Sequence, residues 1–343
     1  MNAAELAETA RQLVGAGKGL LAMDESNGTC NKRFAALGIG QTEEKRRAYR
    51  KLLITTPRLA ESISGVILYD ETIRQKTTDG TPFLAVLEKA GILPGIKVDI
   101  GAKAMAGHPG EKITEGLDGL RERLAAYAGM GARFAKWRAV INLGDDHPSR
   151  ACIAANAQAL ARYAALCQEA GIVPIVEPEI LMAGDHTLER CREVTEETLH
   201  AVFDHLYEQG VLLEGIILKP NMVLPGLGYS QQESLDGVAE ATLTTLLRVV
   251  PAAVAGIAFL SGGQSADLAT ARLDAINRLA RAPGSHLPWP LVFSFGRAIQ
   301  QPALTVWQGD DSCVAAAQKL LIQRVRCDRA ALTGEYEAAM EHT

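Results

Sequence analysis

One pattern, repeated eight times, constrains this chain more than any other. A short apolar run ends in a charged or small polar residue, and a helix-length stretch follows. The runs cover residues 19–24, 65–70, 95–99, 132–138, 172–179, 214–219, 256–261 and 291–297. Each is short, partly β-branched and often opened by glycine, which is the signature of a buried strand. Helical stretches are read at 43–59, 117–128, 148–170, 188–208, 230–249 and 266–280. Alternating β and α units imply a parallel sheet with right-handed crossovers. Eight of them imply a closed (β/α)8 barrel, the TIM-barrel form of the α/β class. A doubly wound open sheet would need a glycine-rich first turn, and Asp24-Glu25-Ser26-Asn27-Gly28 is not G-x-G-x-x-G. The barrel core is expected over about 19–300, within a single domain spanning 1–343. An amphipathic helix at 3–14 precedes it, and a helical extension follows Gln300.

At 48% hydrophobic and 22% charged residues, with a formal net charge of -5, the chain suits a soluble globular protein. Nothing in it suggests a nucleic-acid partner or an anionic membrane. No apolar run approaches the length of a membrane span. The first ten residues carry Glu5 and Glu8 rather than a basic segment and an apolar core, so they do not read as a signal peptide. The six cysteines are scattered, with no C-x-x-C pair, as in a reducing compartment. The expected location is therefore cytoplasmic.

Barrel active sites form at the C-terminal ends of the strands, where the βα loops meet. Here those ends carry Asp24, Lys97, Asp99, Lys136, Arg138, Glu177, Glu179, Lys219 and Arg297. A lone lysine after an apolar strand is usually a solvated gatekeeper charge. So many ionisable groups aimed into one mouth are not housekeeping, because interior barrel positions ordinarily hold aliphatic side chains. On the strand read at 214–219, Gly215, Ile217 and Lys219 share a face, with Lys219 at the C-terminal end and Pro220 ending the ladder. A partly desolvated lysine there is suited to attack a carbonyl and form an imine. Lys136, facing it across the barrel, would repel a second positive charge and favour a neutral Lys219. Glu177 and Glu179 offer a proton donor and a partner for the cations.

Ser261-Gly262-Gly263 exposes backbone N–H groups, and Gly296-Arg297 adds a bidentate cation beside it. Loops after the last two barrel strands are the usual phosphate site of such folds. No histidine ends a strand, and His200 and His205 miss the one-face spacing of a helical zinc pair, so no metal and no cofactor is expected. An imine at Lys219 is then the available electron sink, which points to making or breaking a carbon–carbon bond beside a carbonyl.

These residues closely resemble one family, the class I fructose-1,6-bisphosphate aldolases. The likeness runs from about residue 3 to about residue 323. It is carried by Met23-Asp24-Glu25-Ser26, Gly95-Ile96-Lys97-Val98-Asp99, Phe134-Ala135-Lys136-Trp137-Arg138, Ile175-Val176-Glu177-Pro178-Glu179-Ile180, Leu218-Lys219-Pro220-Asn221-Met222, Leu260-Ser261-Gly262-Gly263-Gln264-Ser265 and Phe295-Gly296-Arg297-Ala298. The resemblance implies metal-independent cleavage and formation of fructose 1,6-bisphosphate. Lys219 would form the Schiff base, Glu177 would be its acid and base, and Asp24 would take the C4 hydroxyl proton. Lys136 would assist, and Glu179 would hold the cations in place. Ser261, Gly262, Gly263, Gly296 and Arg297 would hold the C1 phosphate, with Lys97, Ser26, Arg33 and Arg138 at the other end of the sugar. The partners implied are a small phosphorylated sugar and further copies of the chain, as a homotetramer.

Two departures stand out. Ile100 replaces a lysine that many relatives carry, so phosphate contacts there are expected to be fewer. Vertebrate members end in a tyrosine on a longer tail, whereas here the last tyrosine is Tyr336, expected to extend a terminal helix, packed or solvated. Another imine-forming barrel, such as a transaldolase-like enzyme, fits less well, because basic groups stand at both ends of the mouth. An idle scaffold protein would be expected to have lost part of the site, and every catalytic position is present.

Overall fold

The computed structural model describes residues 2–144 and 146–342; Met1, Asp145 and Thr343 lie outside the described residues, Met1 at the start of the stretch read for a signal peptide and Thr343 at the end of the tail. The strands are β1 (Gly19–Ala22), β2 (Ile63–Leu68), β3 (Leu93–Lys97), β4 (Gly101–Ala104), β5 (Lys112–Glu115), β6 (Phe134–Ile141), β7 (Val173–Ile180), β8 (Ile217–Leu218), β9 (Ile257–Phe259) and β10 (Leu291–Phe295). Eight of them close into a barrel in the order β1-β10-β9-β8-β7-β6-β3-β2, and every neighbouring pair is parallel. The expected (β/α)8 barrel is thus present. The antiparallel pair β4–β5 is an insertion between the third and fourth staves that the sequence reading does not anticipate. Only Thr114 of its residues is buried, so it carries no apolar run to announce it.

The helices are α1 (Ala3–Val14), α2 (Asn27–Ala35), α3 (Glu43–Ile54), α4 (Asp70–Ile73), α5 (Phe83–Ala90), α6 (Leu120–Met130), α7 (Arg150–Glu169), α8 (Leu188–Glu208), α9 (Leu235–Val249), α10 (Ala266–Ala280), α11 (Arg297–Trp307) and α12 (Val314–Ala331). Helix α3 stops at Ile54 rather than running to 59, because Pro57 disfavours helical backbone at the residue before it. Serine or threonine side chains cap α7, α8 and α9 at Ser149, Thr187 and Ser234. Helix α1 buries Leu6, Ala10, Leu13 and Val14 at helical spacing. A Cβ on Gly65 of β2 would lie 2.7 Å from Leu13 Cδ2, so the helix packs where that strand has no side chain. Gly95 on β3 likewise makes room for the Phe134 ring, 2.3 Å from where its Cβ would be.

Several strands end earlier than the sequence suggests. Asp24, Asp99, Lys219, Ser261 and Arg297 stand just beyond the ladder rather than within it. The largest difference is at β8. Leu213–Gly215 forms a 3-10 turn, so Gly215 is not on a strand and does not share a strand face with Lys219. Its missing Cβ would be 3.2 Å from Leu6 Cβ, which puts this turn against α1.

The C-terminal tail also differs from expectation. Gly334 (φ 76°) reverses the chain after α12, so no helix continues through Tyr336. Residues Ala338–His342 form a 3-10 turn against α12 and α10. Tyr336 is partly buried on the core; its N–H donates to Asp274 (2.9 Å) and its hydroxyl to Glu341 Oε1 (2.8 Å). Arg324 pairs with Glu341 and with Asp328.

Candidate active site

Strand periodicity aims Lys136 and Arg138 of β6 inward while Trp137 packs outward on Tyr163, at 5.6 Å between ring centroids. On the next stave, Glu177 and Glu179 of β7 do the same. Lys219 follows β8, its N–H donating to Val176 O at 2.8 Å. Asp24 enters from beyond β1. The four central groups form an unbroken chain. Lys219 Nζ lies 3.1 Å from Glu177 Oε1, Glu177 Oε2 lies 3.3 Å from Lys136 Nζ, and Lys136 Nζ lies 2.8 Å from Asp24 Oδ2. All four are buried.

This arrangement corrects one expectation. Lys136 does not face Lys219 across the barrel. The stave order places Glu177 between them, so the two lysines share a carboxylate instead of meeting as bare charges. Burial pulls the Lys136 ammonium down, but Asp24, Glu177 and Asp99 outweigh it and hold it well above the usual lysine range. Burial pushes Asp24 up, yet Lys136 and Lys219 bring it down to about 2. Glu177 is also held below the usual carboxylate range, burial being overcome by Lys136, Lys219 and Arg138.

Around this centre the mouth has two unlike sides. On one side each expected substrate cation is joined to a carboxylate. Lys97 Nζ donates to Asp99 Oδ1 at 2.5 Å, Arg33 pairs with Glu25 at 2.6 Å, and Arg138 pairs with Glu179. Glu179 therefore holds Arg138 rather than the lysines. Ser26 caps α2, accepting from Thr29 N. Ile100 is 61% exposed at the same rim. On the other side, Gly262 (φ 58°) and Gly263 (φ 94°) take left-handed backbone. A Cβ at Gly262 would strike Met182 Sδ at 2.4 Å, and one at Gly263 would sit 3.2 Å from Arg297 Nη2. Arg297 opens α11 after Gly296, is exposed, and has no carboxylate partner among the described residues. An anion arriving here meets a guanidinium and a helix N-terminus without displacing anything.

All the sequence-predicted site residues line one cavity of about 1040 Å³. The sequence reading assigns no role to several others that line it. Arg123 of α6 is distant in sequence from the strand ends, yet it donates to Val98 O at 2.8 Å, directly after β3. Ser294 hides inside the apolar run of β10, its buried hydroxyl without a partner among the described residues. Glu25 stands beside Asp24 and gathers Arg33, Arg50 and Gln300. No group of three or more His, Cys, Asp or Glu side chains that could hold a metal ion occurs among the described residues.

Comparison with known proteins bears directly on this mouth. The family model described as fructose-bisphosphate aldolase class-I matches residues 5–343. The chain belongs to the class I fructose-bisphosphate aldolase family. A probable fructose-bisphosphate aldolase class 1 of Xanthomonas campestris is 56% identical over 338 residues, covering 98% of this chain and 100% of the relative. A cytosolic fructose-bisphosphate aldolase of Arabidopsis thaliana is 50% identical, over 97% of this chain and 92% of its own length. The Plasmodium falciparum fructose-bisphosphate aldolase, solved with TRAP and a small-molecule inhibitor, superposes with a TM-score of 0.95 at 47% identity, over 98% of this chain and 96% of that one. As a class I aldolase, the protein catalyses the aldol cleavage and condensation of fructose 1,6-bisphosphate, to and from dihydroxyacetone phosphate and glyceraldehyde 3-phosphate, through a lysine Schiff base. This is a step of glycolysis and gluconeogenesis. No described helix is long and apolar enough to cross a membrane.

Proposed function

We propose that Lys219 is the Schiff-base lysine of this aldolase and that Glu177, Lys136 and Asp24 move its protons. The observation that carries this reading is the buried relay Lys219–Glu177–Lys136–Asp24, in which each group touches the next. Glu177 takes a proton from the Lys219 ammonium. The amine then adds to the ketose C2 carbonyl, and Glu177 returns the proton as the carbinolamine loses water. Asp24 accepts the C4 hydroxyl proton while the C3–C4 pair of electrons flows onto the iminium nitrogen. The aldehyde leaves, the enamine is protonated at C3, and water releases the second triose. Lys136 keeps Asp24 ionised for this step, and Glu179 anchors Arg138 at the rim.

The C1 phosphate sits at Ser261, Gly262, Gly263, Gly296 and Arg297, where the uncommitted guanidinium supports the assignment. Lys97, Ser26, Arg33 and Arg138 serve the other end of the sugar. An apolar cluster running from Leu6 to Leu332 supports reading residues 1–343 as one barrel domain. Family membership supports a homotetramer and a cytoplasmic location. Borohydride added during turnover should fix a triose or hexose adduct on Lys219, read by peptide mass. An adduct on Lys136, or none with activity intact, would remove the assignment.

A further inference from the structure

Arg272, midway along α10, is 2% exposed and touches no carboxylate among the described residues. The other buried arginines all do: Arg46 pairs with Glu71, Arg50 with Glu25, and Arg324 with Glu341 and Asp328. Its one hydrogen bond among the described residues runs from Nη1 to Gln264 Oε1 at 2.8 Å, and its Nε has no partner. Burying a guanidinium without a counter-charge is costly, and the cost cannot be escaped by deprotonation, since arginine stays charged. Burial pulls this group below the ordinary arginine value, with no carboxylate opposing it.

What Arg272 holds is the residue behind the Ser261–Gly263 loop. Gln264 is itself buried, and its Nε2 donates to Ser261 O at 3.0 Å. Its backbone N–H donates to the same oxygen at 3.1 Å. By occupying Oε1, Arg272 decides which end of the amide faces Ser261. In a trans peptide the C=O and the following N–H point in opposite directions. Two donors gathered on Ser261 O therefore turn the Gly262 N–H away from Gln264. Gly262 lines the cavity, and the N–H groups of Gly262 and Gly263 have no partner among the described residues.

We infer that Arg272 is a positioning residue for this loop: it locks the Gln264 amide, which aims the Gly262 N–H at the substrate's phosphate, and its unpaired charge lies behind the bound anion. The inference rests on the reading of Ser261–Gly263 and Arg297 as the phosphate site. A charged group at the end of a hydrogen-bond chain polarises every link in it, so the effect belongs to anion binding rather than to packing. The ligand then supplies the counter-charge that the folded chain lacks.

The test is the inhibition constant of inorganic phosphate beside KM and kcat for fructose 1,6-bisphosphate. Arg272→Met should raise the phosphate constant and KM by about tenfold, with kcat within about twofold. Arg272→Lys, which keeps the charge, should recover most of that loss. An unchanged phosphate constant in folded Arg272→Met, while Arg297→Ala raises it, overturns the inference and leaves the phosphate site standing. No change in either variant removes the phosphate site and the inference with it. Should Arg272→Met fail to fold, Gln264→Glu carries the same test. A carboxylate there neutralises Arg272 and cannot donate to Ser261 O, so a phosphate constant equal to wild type overturns the inference.

Discussion

Between Lys219 and Asp24, each neighbouring pair of groups in the relay can carry opposite charge, and Lys136 is the member with two carboxylates. Asp24 brought down to about 2 contributes stability of about 2 kcal/mol above the unfolded carboxylate range near 4, and this is lost as the pH falls toward 2. The same depression keeps Asp24 a base across the working range. Lys136→Met removes its main counter-charge but leaves the burial, so the Asp24 carboxyl should titrate near or above its ordinary value. We expect kcat to fall by roughly a hundredfold and the acidic limb of kcat/KM to move up by about two pH units or more. A pH–rate profile reads this directly; a limb that stays in place would mean Lys136 does not control Asp24. These residues were legible because a charge inside a barrel stands out against aliphatic neighbours. Arg272 was not, because an arginine on an amphipathic helix reads as a solvated side chain until its burial is seen.

At the scale of elements, legibility followed burial. Helices α8 and α10 fall at their expected bounds, since their apolar faces and punctuating ends are plain in the residues. The β4–β5 pair has little to bury and left no periodic trace. The tail departs from its sequence pattern for a different reason: its composition favours helix, but Gly334 turns it back and Arg324 holds it at Glu341. Tyr336 spends its hydroxyl on Glu341, on the side of α12 and α10, and does not line the cavity. Deleting residues 336–343 should therefore cost about 1–3 kcal/mol of stability, because the buried Arg324 loses Glu341 and keeps Asp328 as its one carboxylate among the described residues, while kcat stays within about twofold. Urea unfolding and a cleavage assay on the same preparation separate the two effects. A large fall in kcat with stability unchanged would show that the tail acts at the mouth.

Over the whole molecule, the eightfold alternation carried the closed barrel, but strand length is a tertiary property and could not be read. Ile216-Ile217-Leu218 looks like any buried strand, whether or not neighbours pair with it along its length. In the barrel, β7 pairs with β6 over eight positions, with β8 over two, and β8 meets β9 at one. Pro178 has no N–H to offer, and Ile180 N donates to the Asn221 side chain at 3.0 Å in place of a ladder carbonyl. The stave that carries Lys219 is thus the least stitched of the wall, although it is as deeply buried as β6. Opening a few backbone bonds there does not require the rest of the wall to open. Deuterium should enter the amides of residues 216–223 faster than those of Phe134–Ile141, and a ketose trapped on Lys219 should slow the first segment selectively. Equal uptake in the two segments would mean that side-chain packing, rather than backbone stitching, sets how often the wall parts at the lysine.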